Sequence, residues 1–432
     1  MVKNFLNKVK LILNNKTIMK RIGLTFLILF IYKVFSFIPV PLLQVDAITT
    51  LINESSFFDF LDTFSGGALG RFSIMALGIS PYITASIVIQ ILQMDIVPLF
   101  KEWGEQGEEW KRKANKFTRY VALILAFFNA LAIILGLSSS LGNELQLGVE
   151  PSVMVYIYMA LVVTAGTAII LWLSDIITRQ GVGNGSSMII SAGILTSVPT
   201  AMIKVWDQFI TNGEGAKSTI TYIVVMLLYI GVIVGVTYMQ IATRKIPVQY
   251  ANRQQKTESN IPIKLNSAGV MPVIFASTIM SIPMTIAGLM SSDTTSGAGY
   301  WIDQIFNSSN VIGFIVYIVL IYVFTFFYSF LTIDPEKIAD NLSKQNAFVP
   351  GVRPGEDTHD FIARVLFKVT LIGGTYLAIL SAIPILTTKF FNLDPSVSIG
   401  GTSLLIVVGV AVETLKQIET DAVGTTYKGF SR

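Results

Sequence analysis

The chain has no cysteine, one histidine and few charged residues, which make up 13% of its 432 residues. The lack of cysteine excludes disulfides, thiolate catalysis and metal sites built on cysteine. His359 lies in a basic, polar segment without companion ligands, which favours a surface residue over a metal ligand or a general base. Soluble domains carry roughly a quarter charged residues, so this composition excludes an ordinary soluble domain.

Apolar residues dominate instead, at 52% of the chain with a mean hydropathy of +0.64. Bilayer-spanning helices need about 17 to 25 predominantly apolar residues. Stretches of this kind predict an all-α, polytopic membrane protein with ten spans. They lie near residues 22–40, 72–92, 119–137, 153–173, 186–203, 218–241, 268–290, 311–331, 365–387 and 397–415.

The basic residues predict the orientation of these spans. Lys33 lies inside a span, and the loops on one side contain only Arg71, Lys204, Lys217 and Lys389 of the 31 Lys and Arg. Basic loops stay in the cytoplasm, so both termini are expected there.

Two cytoplasmic loops, 244–267 and 332–363, are larger than the others and are polar, basic and rich in Pro and Gly. Their charge has two explanations that the residues leave open. It either only orients the spans, or it forms a docking surface for a cytoplasmic partner.

The spans divide into two sets of five, which predicts an N-terminal half at 1–210 and a C-terminal half at 211–432. The second span of each half contains Gly-x-x-Pro, at 78–81 and at 269–272. Because five is an odd number, such a repeat must be inverted across the membrane, an arrangement that creates a pathway between halves in many transport proteins. The prolines predict kinks that serve either as gates or only for packing.

The span interiors contain almost no Asp, Glu or Arg, which disfavours an ion-coupled transporter. Lys33 and Glu413 are interpreted as snorkelling residues near the cytoplasmic ends of their spans. The chain also has no phosphate-binding loop and no catalytic constellation. An uncharged, aliphatic passage favours a flexible chain as cargo, with a secondary transporter for a small solute as the alternative.

Four motifs resemble the SecY family, the channel subunits of bacterial protein translocases. They are FSGGALGRFSIMALGISPYITASIVIQ, LSDIITRQGVGNGSSMIISAG, LNSAGVMPVIFASTI and DNLSKQNAFVPGVRPGEDT. The resemblance covers essentially the whole chain and implies a protein-conducting channel that passes unfolded secretory polypeptides and releases membrane helices sideways into lipid.

The resemblance also implies three functional regions. A pore ring would comprise Ile79, Ile83, Ser186, Ile190, Ile274 and Ile406. A short re-entrant plug helix at 57–70 would include Phe57, Phe58, Phe60, Leu61, Phe64, Gly66, Gly67 and Gly70. A lateral gate between spans two and three and spans seven and eight would contain Thr84, Asn129 and Asn266. Ser186 departs from the aliphatic pattern, and either Met188 compensates for it or the register differs by one residue.

Partners follow from the same resemblance. SecE and SecG would complete a heterotrimer in the cytoplasmic membrane. The motor ATPase SecA and the ribosome would dock on the loops that contain Arg244, Lys245 and Arg353. No cofactor, metal or enzymatic activity is expected.

Overall fold

The computed structural model describes residues 15–41, 62, 65–92, 108–141, 153–211, 216–250, 259–289, 298–307, 310–391 and 401–428. Helices of the first half are α1 (Lys16–Phe35), α2 (Ser80–Leu92), α3 (Glu108–Leu141), α4 (Val153–Gln180) and α5 (Gly185–Trp206). Those of the second half are α6 (Ala216–Ile241), α7 (Met271–Leu289), α8 (Ala298–Phe306), α9 (Val311–Thr332), α10 (Pro335–Lys344), α11 (Glu356–Phe391) and α12 (Gly401–Lys428). The strands are β1 (Thr243–Tyr250), β2 (Ser259–Lys264) and β3 (Ala347–Phe348).

Every predicted span contains a helix, and the protein is a multi-pass membrane protein. Within the described chain, six helical segments are long and apolar enough to cross a bilayer. They are Arg112–Ser138, Val153–Gln180, Gly185–Thr211, Ser218–Ile241, Val311–Lys344 and Glu356–Thr387. A shorter apolar segment, Met271–Met280, lies in α7. The ten-span prediction is consistent with this arrangement.

The second predicted span is not one helix from residue 72. Residues 65–79 form a series of turns, and α2 begins only at Ser80. The preceding segment pairs with the end of the first span, because the Val40 N–H donates to Phe72 O at 2.9 Å and Pro39 bridges to Ser73. The first part of this apolar stretch is therefore a series of turns packed beside the helices, and only the second part is helical.

The prediction that Pro81 and Pro272 kink their helices is wrong. Both residues lie in the first turn, where the missing N–H leaves no intrahelical hydrogen bond unmade. Gly78 and Gly269 precede the two helices with φ of +57° and +66°, a conformation that glycine adopts without steric strain. The second and seventh spans thus begin with the same local structure.

The two large loops contain a small sheet that the sequence did not predict. Its strand order is β2-β1-β3, and both pairings are antiparallel. Ile246 and Val248 of β1 pack against Ile362 and Leu366 of α11 in one buried cluster. The two loops therefore form one folded unit at the end of α11.

Two hydrophobic clusters each lie within one proposed half. One cluster draws its residues from α3, α4 and the segment before α2, and a second draws from α6, α7, α9, α11 and α12. A third contains residues from both halves, including Ile79 and Ile190 from the first and Ile274 and Ile406 from the second. This third set is called the central cluster below.

Candidate functional site

The central cluster contains five of the six residues predicted for the pore ring. Ile79, Ile190, Ile274 and Ile406 are 4%, 5%, 7% and 3% exposed. Ile83 is partly buried and packs against them. The left-handed turn at Gly78 starts α2 and places Ile79 directly before the helix. Helices α5, α7 and α12 carry the other three buried isoleucines.

Ser186, the sixth predicted ring residue, has a polar neighbour on α4. Its Oγ lies 3.0 Å from Ser174 Oγ, so a partner within the first half satisfies the hydroxyl. Met188 packs against the central cluster two residues further along α5. This packing fits the alternative in which Met188 compensates for the polar side chain of Ser186.

Three further apolar side chains, which the sequence does not predict, surround the central cluster. Val270, Met271 and Val407 are partly buried and pack against it. Val270 precedes Ile274 by one helical turn, which is the sequence signal for a shared face.

The predicted plug is described only in part. Phe57, Phe58, Phe60, Leu61 and Phe64 lie outside the described residues. The glycines at the end of this stretch are described, and Gly66 and Gly67 have φ of +71° and +81°. A Cβ on Gly66 would lie 2.6 Å from Gly193 Cα of α5, so a side chain has no room there.

Asp62 organises the turn at the C-terminal end of the predicted plug stretch. Its Oδ1 accepts from the backbone N–H of Gly70 at 2.6 Å, and its backbone oxygen accepts from Gly67 N–H at 3.0 Å. Ser65 Oγ donates to Asp62 O at 3.0 Å and accepts from Leu69 N–H at 3.0 Å. Internal hydrogen bonds thus fix the described part of this segment.

Side chains of α1 donate hydrogen bonds to the backbone of the same segment. Tyr32 OH donates to Ser65 O at 2.9 Å, and Lys33 Nζ donates to Gly66 O at 2.7 Å and to Thr196 Oγ1 at 3.0 Å. Lys33 lies in the last turn of α1, remote from the N-terminal end of the helix. The interpretation of Lys33 as a snorkelling residue is wrong, because its ammonium group binds the backbone of the segment predicted as the plug.

The three predicted gate residues have different surroundings. Thr84 Oγ1 donates to Ser80 O of its own helix at 3.3 Å, and Asn129 is exposed on α3. Asn266 is 3% exposed, and neither polar atom of its side chain has a hydrogen-bond partner among the described residues. No hydrogen bond from Asn266 therefore joins it to either of the other two.

A different polar contact crosses the predicted gate. Helices α2 and α3 both pack against α7. Tyr328 OH of α9 donates to Gln90 Oε1 of α2 at 2.5 Å, and Gln90 Nε2 donates to Ser86 Oγ at 3.1 Å. Phe275 of α7 contacts the Tyr328 ring edge-on, with ring centroids 5.1 Å apart. The sequence signal was Gln90, an uncharged polar residue inside an apolar span.

The predicted docking residues lie on one folded unit. Arg244 and Lys245 are exposed at the start of β1, and Arg353 is exposed between β3 and α11. The carbonyl of Arg353 accepts from Thr358 Oγ1 at 2.7 Å, which ties the loop to the first turn of α11. Pairing of Tyr250 with Ala347 joins the two loops.

Helix α10 of this unit is capped by Asp334. Its Oδ1 accepts from the backbone N–H groups of Glu336 and Lys337 at 3.1 and 3.3 Å. Burial acts to raise the pKa of Asp334, but the hydrogen bonds and charge of Lys337 outweigh it and hold the pKa below its ordinary value.

These observations define a helical membrane protein in which residues from both predicted halves meet in one buried, largely aliphatic cluster. The family model described as SecY matches residues 73–415. Relatives described as protein translocase subunit SecY include that of Halalkalibacterium halodurans, 43% identical over 420 residues and 95% of this chain and 96% of the relative. That of Staphylococcus carnosus is 44% identical over 429 residues, covering 96% and 97% of the two chains. The chain belongs to the SecY family.

Solved structures agree at the level of the fold. One described as the structure of a protein conducting channel has a TM-score of 0.69 and 18% identity, and the match covers 97% of this chain and 96% of that one. Sec61 in the canine ribosome-channel complex has a TM-score of 0.66 and 17% identity over the same shares.

Proposed function

We infer that this chain is the channel subunit of a protein translocase, which passes unfolded secretory polypeptides across a membrane and releases membrane helices sideways into lipid. The observation that carries this inference is the central cluster, in which aliphatic side chains from both halves meet. An apolar constriction excludes water and ions by dewetting, yet a polypeptide can displace flexible aliphatic side chains.

The pore ring is proposed to consist of Ile79, Ile83, Ser186, Ile190, Ile274 and Ile406. The burial of four of these isoleucines at one place, with Ile83 beside them, supports the assignment. Ser186 would face the ring with its hydroxyl partly satisfied by Ser174, and Met188 would supply apolar volume beside it.

The plug is proposed to be the stretch 57–70, lying against the outer side of the ring. Hydrogen bonds from Tyr32 and Lys33 to the carbonyls of Ser65 and Gly66 support a resting position beside α1. Both bonds end on backbone oxygens of two adjacent residues, so a small movement of this turn would break them together.

The lateral gate is proposed to lie where α2 and α3 meet α7 and α9. Thr84, Asn129 and Asn266 remain candidates along it. The Tyr328–Gln90 hydrogen bond adds a contact between the two sides, and cross-helix bonds of this kind in membranes contribute about 0.6 to 2 kcal/mol. That strength suits a gate that is closed at rest and opens under a competing apolar segment.

The cytoplasmic unit is proposed as a docking surface for the motor ATPase SecA and for the ribosome. One structural relative, Sec61, is described in a ribosome-channel complex, which supports such a partner. The guanidinium of Arg353 and the exposed Arg244 suit carboxylates or RNA phosphates, which accept two hydrogen bonds from one arginine. SecE and SecG would complete the heterotrimer.

The chain is proposed to lie in the cytoplasmic membrane with both termini in the cytoplasm. The bias of Lys and Arg toward one set of loops supports this orientation. The half boundary is proposed near residue 210, next to the π-helical turn Asp207–Thr211 between α5 and α6.

An export assay tests the proposed function. Cells depleted of their own channel subunit would express this chain together with SecE and SecG from the same organism as the chain. We expect secretion of a signal-bearing reporter to return, with the empty vector as control. Stable, membrane-inserted chain that leaves the reporter inside the cell would contradict the proposal and favour the small-solute transporter.

A further inference from the structure

The short helix α8 lies between two spans and has an inner face that packs on the protein. It contacts both α7 and α9. Gly299 is buried, and Phe306 packs against the hydrophobic cluster of the second half. The helix is therefore part of the folded C-terminal half, although nine residues are too few to cross a bilayer.

A polar corner fastens α8 to the start of α9. Asn307 Nδ2 donates to Asp303 Oδ1 at 2.9 Å, and Asn310 Nδ2 donates to Asp303 Oδ2 at 3.0 Å and to Asp303 O at 3.1 Å. A Cβ on Gly313 would collide with the Asn307 carbonyl, so the chain folds back closely at this corner. The direction of α8 is thus fixed relative to the span that follows.

The outer face of α8 presents two large aromatic side chains. Trp301 is 62% exposed and Tyr300 is 43% exposed, and their rings meet edge to face with centroids 6.0 Å apart. The one acidic residue of α8, Asp303, is engaged in the corner. The outer face therefore carries aromatic surface and no free charge.

The span against which α8 packs also exposes apolar side chains at its start. Val311, Ile312 and Ile315 are 69%, 47% and 57% exposed in the first turns of that span. The 22 residues of α9 extend about 33 Å, close to the roughly 30 Å of the hydrocarbon core. If α9 spans the bilayer, its first turn lies near the edge of the hydrocarbon, and α8 is packed against that end.

We propose that α8 is an interfacial helix that binds the phospholipid bilayer, with Tyr300 and Trp301 inserted at the boundary between headgroups and acyl chains. Tyr and Trp are enriched at this depth because their rings are apolar and their O–H and N–H groups reach water. The occupant is lipid because α8 packs against α9, a span whose first turns expose apolar side chains. The proposal requires only that α9 spans the bilayer, and it does not depend on which leaflet α8 contacts.

The placement has a consequence for the neighbouring spans. Because α8 joins α7 to α9, both of which border the proposed lateral gate, the lipid contact fixes the ends of these two helices at one membrane depth. The outer face of α8 then acts as an anchor for the second half beside the gate.

Tryptophan quenching tests the proposal. The chain, purified with the subunits that accompany it, would carry Trp301 as its single tryptophan, with Trp103, Trp110, Trp172 and Trp206 changed to Phe. It would be reconstituted into phosphatidylcholine vesicles brominated either near the headgroup or near the chain end, with iodide as the aqueous quencher. A second variant would retain only Trp172, which is 64% exposed on α4, as a control for a tryptophan in a span.

We expect bromine near the headgroup to quench Trp301 at least about twofold more than bromine near the chain end, as for other interfacial tryptophans. Strong quenching by iodide without quenching by either brominated lipid would overturn the proposal and assign the patch to an aqueous partner. Shielding from both lipid and iodide would also overturn it, because another protein or a second copy would then cover α8. The Trp172 control and an export assay show that the substitutions leave the protein folded.

Discussion

Ile79 lies where the two halves meet, between a left-handed glycine and the first turn of α2. Its side chain is 4% exposed and packs in the central cluster with isoleucines from three other helices. Aliphatic side chains cannot bind ions or water, so a narrow ring of them is a barrier without any charged filter. The seal therefore depends on the volume of these residues.

Removing that volume should open the seal. We expect Ile79→Gly with Ile83→Gly to raise chloride or potassium leak from reconstituted vesicles severalfold, because water can enter a wider constriction. Ile230→Gly is a matched control, since Ile230 is 58% exposed on α6, remote from the cluster. Equal leak in the double variant and the control would remove these two residues from the ring.

Gly66 and Gly67 offer a second test at the scale of single residues. Both have positive φ, which costs roughly 1 to 2 kcal/mol for a residue with a side chain. Only Gly66 also lies against the Gly193 backbone, whereas a Cβ on Gly67 would meet nothing within 4 Å. Gly66→Ala should therefore lower the thermal unfolding midpoint of the purified complex more than Gly67→Ala does. Identical losses would show that the close approach to α5 is absent.

At the scale of elements, the second span shows how a short local motif decides where a helix starts. The sequence pairs Gly78 with Gly269, but its hydropathy predicts that Pro81 and Pro272 lie inside their helices. Hydropathy does not separate the turns at 65–79 from α2, because both are apolar. The left-handed glycines end the turns, and the prolines then lie in the first helical turn, where they are tolerated.

The sheet of β1, β2 and β3 could not be predicted from the sequence for a related reason. Strands β1 and β2 each contain a proline, Pro247 and Pro262, and the segments around them are basic and polar. Proline within a strand pattern argues against a central strand. Burial of Ile246 and Ile263 against α11 outweighs that preference, and only the tertiary structure supplies this contact.

The docking surface leads to a prediction about this element. We expect Arg353→Glu to reduce motor-driven export by about tenfold or more, since charged hydrogen bonds contribute roughly 1.5 to 3 kcal/mol. The complex should still assemble, because Arg353 is exposed and only its backbone oxygen is bonded to the fold. Lys20→Glu, on the exposed face of α1, controls for the change in charge. Normal export with Arg353→Glu would contradict the docking role. The charge of this loop would then serve only to orient the spans.

At the scale of the whole molecule, the span pattern and the motif order were sufficient to predict the class of fold and the family. Of the six residues predicted as a ring, four isoleucines are buried in the central cluster and Ile83 packs against it, whereas Ser186 bonds to α4. The contacts of Lys33 and the Tyr328–Gln90 bond could not be predicted, because each joins segments whose distance is set by helix packing.

The account predicts that an exported chain passes through the central cluster. The most direct measurement is photocrosslinking of a stalled secretory polypeptide to a probe at Ile83 or Ile274, with a probe at the lipid-facing Ile230 as control. We expect crosslinks from both cluster positions and none from Ile230. Crosslinks from Ile230 alone would contradict passage through the cluster and with it the proposed channel.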